Sequence, residues 1–332
     1  MTDSDPNKPI PVILNPKARS ERASAISDQV AALSSRIEIH ETQHRRDAKA
    51  MARSLAATGH PLIVAAGGDG TINEVVSGIA AVQEERGGEA HPTLGILPMG
   101  TMNVFARELG IPCRDLPAAW AAICSGQHAQ IDLWRANSNL FVQMAGVGID
   151  AEIVRRTTWQ SKKRFGPCSY LLTALRMVRR PAPKLRVEIP GRDDDDSPRD
   201  GSAVIIGNGR LYGGPFSFLP AANNRDGELD LVLFRKLNAA VLLKLGMSLV
   251  RKRRCSSSPH VHYERAEEFT VTSQDAEAHA FEVDGEYVGH TPVHVRKAEF
   301  PLRIAIPSDP DSPARPDAGP PRQELADEHF SP

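Results

Sequence analysis

Two glycine-rich stretches carry residue types that bind phosphate groups. The first, GGDGT at residues 67–71, follows the apolar run PLIVAA and precedes the helical pattern TINEVVSGIAAV. The second, PMGT at residues 98–101, follows the apolar run TLGIL and also precedes a short helical pattern. Glycine lets a backbone approach a ligand closely, and the free amides at a helix start attract anions. Two such loops on consecutive strands would hold one nucleotide from two sides.

The loop sequences do not match two familiar nucleotide sites. The chain has neither G-x-x-x-x-G-K-[ST] nor G-x-G-x-x-G, the signatures of P-loops and of dinucleotide-binding folds. Thr71 and Glu74 have the spacing of a capping box, so we predict that the first helix begins at Thr71, and Thr101 is the predicted cap of the second. A tight strand-to-helix turn without a ligand is the alternative for the first loop.

Asp69 is the only carboxylate in the first loop. A carboxylate at this position suits a magnesium ion, or a water molecule bound to one. Transfer of a phosphoryl group to a hydroxyl also requires a base that takes up the hydroxyl proton.

The elements around the loops predict a parallel sheet. Short apolar runs recur through the first third of the chain and alternate with segments of helical periodicity. This alternation is typical of βαβ units, in which ligands bind where strands lead into helices. The predicted strands are IPVIL (10–14), RIEIH (36–40), PLIVAA (61–66) and TLGIL (93–97).

A different pattern begins near Gln130. Short segments with alternating polar and apolar residues follow, such as KLRVEIP, ELDLVLF and EFTVTS, and they predict antiparallel strands. Helical insertions are predicted at about 151–180 and 238–252.

The composition is that of a globular protein. The chain has 332 residues, of which 41% are hydrophobic, and a formal net charge of −1. No apolar run reaches the ~18 residues needed to span a bilayer. The four cysteines show neither zinc-site nor disulfide-framework spacing, and the N-terminus lacks a secretory signal pattern, so we expect a cytoplasmic location. Residues 308–332, rich in proline and charge, are expected to be disordered.

Although the net charge is close to zero, basic residues are concentrated in two stretches. Residues 155–184 contain nine Lys or Arg and no acid, and residues 235–254 contain seven and no acid. Both stretches mix cations with Leu, Met and Val, as peripheral proteins do at an anionic bilayer. An ordinary core-facing helix with a solvated basic side is the alternative. No nucleic-acid-binding signature accompanies this charge, so we expect no nucleic acid partner.

Taken together, the motifs resemble a known family. GGDGTINEVVSG followed by LGILPMGTMNVFARELGIP is similar to the diacylglycerol kinase catalytic domain family, and most of all to its soluble bacterial lipid kinases, relatives of sphingosine and ceramide kinases. The resemblance extends from about residue 10 to residue 306. Further matches are NPKAR (15–19), GNGRLYGGPFSFLPAANNRDGELDL (207–231) and FEVDGEYV (281–288).

The resemblance implies a fold and an activity. It implies an N-terminal, phosphofructokinase-like α/β domain with a parallel sheet at 8–128 and a C-terminal antiparallel β-sandwich domain at 129–299. A strand at 300–307 is expected to return to the first sheet. The implied reaction is ATP- and magnesium-dependent transfer of a phosphoryl group to a hydroxyl of a membrane lipid such as diacylglycerol. The enzyme would act at the inner face of the cell membrane as a peripheral protein, and a homodimer is compatible with this prediction.

The resemblance also implies roles for individual residues. Glu286 is the implied proton acceptor, beside Asp69 as a second catalytic carboxylate, although VDGEYV equally fits an Asp-Gly hairpin turn. Asp284, in the same turn, is the next candidate for the base. The implied ATP contacts are Asn15, Thr42, Gly67, Gly68, Asp69, Gly70, Thr71, Ile72, Asn73, Gly100 and Thr101.

A magnesium site is implied near the segment NNRDGELD. Asp226 would supply its carboxylate, and Asn223 and Glu228 would contribute largely through their backbone carbonyls. Ordinary turn chemistry is the alternative for this segment. The sequence departs from the family pattern at Arg19, where small residues are usual, and at Val104, which replaces an acid.

Two other functions stay open. NAD kinases share GGDGT, but they carry an Asn-Glu pair downstream of the loop, whereas Asn73 and Glu74 lie within the loop's own helix. The GT-N loop and the distal DGE fit lipid kinases better. A non-catalytic, nucleotide-binding regulator is the other alternative, and the intact Asp69 and Glu286 argue against it.

Overall fold

The computed structural model describes residues 8–17, 23–88, 92–156, 182–192, 199–214, 216–235 and 261–308. Most of the two basic stretches and the whole tail after residue 308 lie outside these ranges, so the predictions made for them are not addressed further by the structure. Within the ranges, no helix is both long enough and apolar enough to cross a membrane.

Helices are concentrated in the first half of the described chain and strands in the second. The helices are α1 (Ala23–Ala31), α2 (Asp47–Ala57), α3 (Asp69–Glu85), α4 (Val104–Glu108), α5 (Leu116–Cys124) and α6 (Ile149–Arg156). The strands are β1 (Ile10–Leu14), β2 (Ile37–Glu41), β3 (Leu62–Gly67), β4 (Thr93–Pro98), β5 (His128–Ile131), β6 (Trp134–Ala136), β7 (Asn139–Phe141), β8 (Met144–Gly148), β9 (Leu185–Glu188), β10 (Asp200–Gly201), β11 (Ala203–Gly207), β12 (Leu211–Tyr212), β13 (Phe216–Ser217), β14 (Leu229–Phe234), β15 (Val261–Ala266), β16 (Glu268–Ser273), β17 (Ala280–Val283), β18 (Glu286–His290), β19 (Val293–Lys297) and β20 (Leu302–Ala305).

The first sheet has the strand order β2-β1-β3-β4-β20-β5. Its neighbours pair in parallel, except that β5 runs antiparallel to β20. The side chains of β1 are buried along its whole length, which explains why its sequence is an unbroken apolar run rather than an alternating one. Strand β20 comes from the far end of the described chain and lies between β4 and β5.

Helices α2 and α3 pack closely against each other beside this sheet. Gly78 makes the approach possible, because a Cβ at this position would lie 2.4 Å from the Lys49 carbonyl oxygen and 2.8 Å from the Ala52 Cβ. The close packing fixes α3, which begins at the first glycine-rich loop, relative to the loop that precedes α2.

The second half forms two antiparallel sheets, with orders β10-β9-β16-β19-β6-β7 and β15-β14-β11-β8-β17-β18. One shared apolar core contains Trp134, Phe141 and Phe269 from the first of these sheets and Val204 and Phe281 from the second. The two sheets therefore pack face to face. This arrangement confirms the predicted fold class, a parallel-sheet domain followed by an antiparallel β-sandwich.

Candidate active site

The first glycine-rich loop lies where β3 leads into α3. The helix begins at Asp69 after the extended residue Gly68 (φ −92°, ψ −176°), and no side chain caps it. The predicted capping box is wrong, because the Arg46 amide donates to Glu74 Oε1 at 3.0 Å and thereby engages the Glu74 side chain elsewhere. A helix start without a side-chain cap leaves its amide donors to solvent or to an anion.

The second loop is closed by Asn103, which has a left-handed backbone (φ 48°) immediately before α4. The Gly100 amide donates to Asn103 Oδ1 at 2.8 Å, and Asn103 Nδ2 donates to the Gly100 carbonyl at 2.8 Å. Thr101 is therefore not the cap that the sequence predicts. Asparagine tolerates the left-handed region better than most residues, which explains its place here.

The two loops touch each other. A Cβ at Gly100 would lie 2.5 Å from Gly68 Cα, so glycine is required for the backbones to come this close. The amide of Phe105, in the first turn of α4, donates to Asp69 Oδ1 at 3.2 Å. Burial raises the pKa of the Asp69 carboxyl, and the hydrogen bonds from nearby amides, that of Phe105 foremost, oppose this rise. Asp69 thus joins the first loop to the start of the next helix.

The other predicted nucleotide contacts lie at the same edge of the sheet. Asn15 follows β1 and donates through Nδ2 to Thr71 Oγ1 at 3.0 Å. Thr42 follows β2, and its amide donates to the Leu14 carbonyl. Ile72 is fully buried, and its amide donates to the Gly68 carbonyl at 3.0 Å.

Asn73 has a different surrounding from the other predicted contacts. Its Nδ2 donates to the Leu140 carbonyl at 3.0 Å and to Asp284 Oδ2 at 2.7 Å. Both acceptors belong to the C-terminal half of the site, so the Asn73 side chain connects α3 to the sandwich.

Glu286 lies over the first loop. It pairs with Arg45 of the N-terminal domain, which is 241 positions away in the sequence. Strands β17 and β18 form a hairpin whose two turn residues, Asp284 and Gly285, have φ values of 48° and 82°. These values fit the type I′ turn that Asp-Gly favours. A Cβ at Gly70 would lie 3.1 Å from Glu286 Oε1, and Arg45 Nη2 lies 2.9 Å from Glu286 Oε2.

Asp284, the second candidate for the base, is engaged by four donors. Its Oδ1 accepts from the amides of Gln143 and Met144, both at 3.0 Å. Its Oδ2 accepts from the Val142 amide at 3.0 Å and from Asn73 Nδ2. Burial raises the pKa of Asp284, and hydrogen bonds from these donors oppose the rise. These contacts are those of a carboxylate that fixes the hairpin in place, a role that the Asp-Gly turn pattern alone does not reveal.

Replacing Asp284 with Asn is expected to destabilise the fold. Asparagine keeps the left-handed turn residue, but its NH₂ group replaces one carboxylate oxygen and would face the two donors of that oxygen, such as the amides of Gln143 and Met144 at Oδ1. Two buried donors without acceptors cost about 2–6 kcal/mol, at ~1–3 kcal/mol each. Urea unfolding measures the loss. The control is Asp200→Asn, since 70% of the Asp200 side chain is exposed, and equal midpoints for the two variants would contradict this role.

A guanidinium lies beside the loop that the sequence predicts to bind magnesium. Asp226 Oδ2 pairs with Arg265, and Asp226 Oδ1 accepts from the Glu228 amide at 3.2 Å. Arg265 also lies 3.1 Å from Glu228 Oε2 and 3.4 Å from Asp230 Oδ2. Burial raises the pKa of Asp230 to about 6.

Protein groups engage the atoms of the predicted magnesium site, which stays a prediction. Both carboxylate oxygens of Asp226 have protein partners, and the Asn223 carbonyl accepts from the Asp226 amide at 3.4 Å.

A buried glutamate that sequence reasoning missed connects the two halves of the site. Glu108, on α4, is 5% exposed. It accepts from Arg210 Nε at 2.9 Å, from the Leu211 amide at 2.8 Å and from Gln143 Nε2 at 3.3 Å. The one signal in the sequence was the position of Glu108 in a short helix that also contains Val104, Phe105 and Ala106.

Comparisons with known proteins agree on one family. The model of the diacylglycerol kinase catalytic domain matches residues 9–136, and the model of the YegS C-terminal NAD kinase beta sandwich-like domain matches residues 143–306. These matches cover both halves of the site and confirm the resemblance found in the sequence.

Curated relatives extend the similarity over most of the chain. A diacylglycerol kinase of Staphylococcus saprophyticus is 30% identical over 272 residues, which cover 81% of this chain and 85% of the relative. A diacylglycerol kinase of Bacillus subtilis is 31% identical over 272 residues, covering 81% and 86%. The crystal structure of a diacylglycerol kinase from Bacillus anthracis shares the fold with a TM-score of 0.68 and 22% identity, covering 92% of this chain and 99% of that one.

Proposed function

Because this chain belongs to the diacylglycerol kinase family and is a lipid kinase, we propose that it transfers the γ-phosphoryl group of ATP to a hydroxyl of diacylglycerol or a similar membrane lipid. One observation carries the proposal. Glu286 comes over Gly70 of the first glycine-rich loop, two residues after Gly68, where that loop touches the second. A phosphate donor and a base are thereby offered to one acceptor hydroxyl.

The substrate in this proposal is ATP as its magnesium complex. The start of α3, without a side-chain cap, offers amides to the phosphates, and Gly68 and Gly100 let them come close. Asp69 is the carboxylate that would hold the magnesium ion or a water molecule bound to it. Bound magnesium would supply charge neutralisation, which phosphoryl transfer needs more than covalent chemistry.

Glu286 is the proposed proton acceptor. About half of its side chain is exposed, so that a lipid hydroxyl can reach it. Its Oε2 is paired with Arg45, whereas its Oε1 is directed at Gly70 and the first loop. A base needs only to lie within ~3 Å of the hydroxyl, directly or through one water molecule.

The two domains would bind different substrates. We assign ATP binding to residues 8–128 with the returning strand at 300–307, and lipid binding to the sandwich at 129–299. The lipid would come from an anionic membrane surface on the cytoplasmic side, at which the enzyme docks as a peripheral protein. The family resemblance and the basic composition of residues 155–184 and 235–254 support this assignment.

The experiment that tests the proposal is a radiolabelled ATP assay with vesicles. Vesicles of anionic lipid containing diacylglycerol are expected to yield labelled phosphatidic acid, and chelation of magnesium is expected to abolish the product. Parallel reactions contain phosphatidylglycerol, a sphingoid base, ceramide or NAD. Labelling of NAD alone would contradict lipid phosphorylation, and equal labelling on neutral vesicles would contradict the anionic docking surface.

A further inference from the structure

Arg45 connects the two domains at the catalytic carboxylate. It belongs to the loop between β2 and α2, three residues after the predicted ATP contact Thr42. Its Nη2 lies 2.9 Å from Glu286 Oε2, at the start of β18. In the part of the chain that the structure describes, Arg45 is the cation that pairs with Glu286.

The loop that carries Arg45 is held from several sides. The amides of Gln43 and His44 donate to Asp47 Oδ2 at 2.8 and 2.7 Å. These hydrogen bonds lower the pKa of Asp47, which keeps the carboxylate charged. The amide of Arg46 donates to Glu74 on α3, and Arg46 has a left-handed backbone (φ 71°). The position of Arg45 is thus fixed by the same helix that begins at the first glycine-rich loop.

We propose that Arg45 is a positioning residue that holds the Glu286 carboxylate over the first loop. This inference rests on the proposed role of Glu286 as the base. A glutamate at the tip of an exposed hairpin has several side-chain rotamers, most of which would turn its carboxylate away from the reaction. The guanidinium engages Oε2 and leaves Oε1 directed at Gly70, which is the oxygen that would accept the proton.

The pair is suited to positioning rather than to stability. The Arg45 side chain is 83% exposed, and exposed ion pairs contribute little to folding. Removal of Arg45 should therefore leave thermal unfolding unchanged, while a displaced catalytic group loses rate. We expect removal of Arg45 to lower kcat and to leave KM for ATP unchanged, because Glu286 acts on the acceptor hydroxyl and not on the bound nucleotide.

Arg45→Gln is expected to lower kcat roughly 10- to 100-fold, with KM for ATP and the melting temperature close to those of the unaltered protein. Arg45→Lys is expected to recover part of the rate, since lysine keeps the charge but not the reach or the fork of donors. The matched control is Arg53→Gln, because Arg53 forms an exposed pair with Glu85 on the neighbouring helices and should leave kcat unchanged. A kcat for Arg45→Gln equal to that of Arg53→Gln would overturn the proposal.

A double-mutant cycle with Glu286→Gln separates positioning from other roles. If Arg45 acts through Glu286, adding Arg45→Gln to Glu286→Gln lowers kcat no further. A loss of the same size in both backgrounds would show that Arg45 acts independently, which overturns the proposal. Full activity of Glu286→Gln by itself would instead contradict the proposed role of Glu286 as the base. Failure of the positioning role and failure of the base are therefore distinguished by different variants.

Discussion

Glu286→Gln is expected to lower kcat by ~100-fold or more, the usual scale of general base catalysis. Glutamine keeps the size of the side chain and the hairpin, but it cannot take up the proton of the acceptor hydroxyl. Since about half of the Glu286 side chain is exposed, the free energy of unfolding should change little. Steady-state kinetics with ATP and diacylglycerol vesicles give kcat, and calorimetric titration gives the affinity for ATP, which is expected to stay near its original value.

The control for this experiment is Glu268→Gln on the exposed start of β16. It makes the same chemical change on the sandwich, in the sheet that does not contain the Glu286 hairpin. Its kcat should equal that of the unaltered enzyme. A Glu286→Gln enzyme with more than half of the original kcat would refute the role of Glu286 as the base. Asp284 would then be a poor candidate for that role, because four donors engage its carboxylate.

Local patterns predicted the elements that carry the site. The apolar run at 10–14 coincides with β1, and VDGEYV forms the hairpin that its Asp-Gly pair predicts. Such features depend on neighbours a few positions away, so the sequence contains them directly. The alternation of strands and helices likewise predicted that the two glycine-rich loops lie side by side, which their contact at Gly68 and Gly100 bears out.

Contacts between distant segments were not predictable in this way. Glu74 has the spacing of a capping residue, yet the Arg46 amide is its partner because α2 packs against α3. Glu108 and Asp284 each accept from segments more than 30 positions away, so neither residue has a local pattern that reveals its partners. Arg45 lies in an unremarkable polar loop, and its contact with Glu286 depends on how the sandwich sits against the first sheet.

Asp69→Asn is expected to lower kcat by ~100-fold or more, the scale on which the loss of one electrostatic group acts in an active site. The amide keeps an oxygen that can accept from the Phe105 amide, but it carries no charge for magnesium. Stability should not fall with activity. The asparagine oxygen can still accept from the Phe105 amide, so the hydrogen bond that joins residue 69 to α4 is retained.

Asp115→Asn separates the charge of Asp69 from its capping role. Asp115 accepts from the Ala118 amide at 2.9 Å at the start of α5, as Asp69 accepts from the start of α4, but it lies outside the proposed site. Aspartate and asparagine cap helices about equally well. If Asp69 served only to cap α4, both variants would retain full kcat and similar melting temperatures. Loss of kcat in Asp69→Asn alone, without a fall in its melting temperature, is the result expected of a carboxylate that acts on the magnesium complex of ATP.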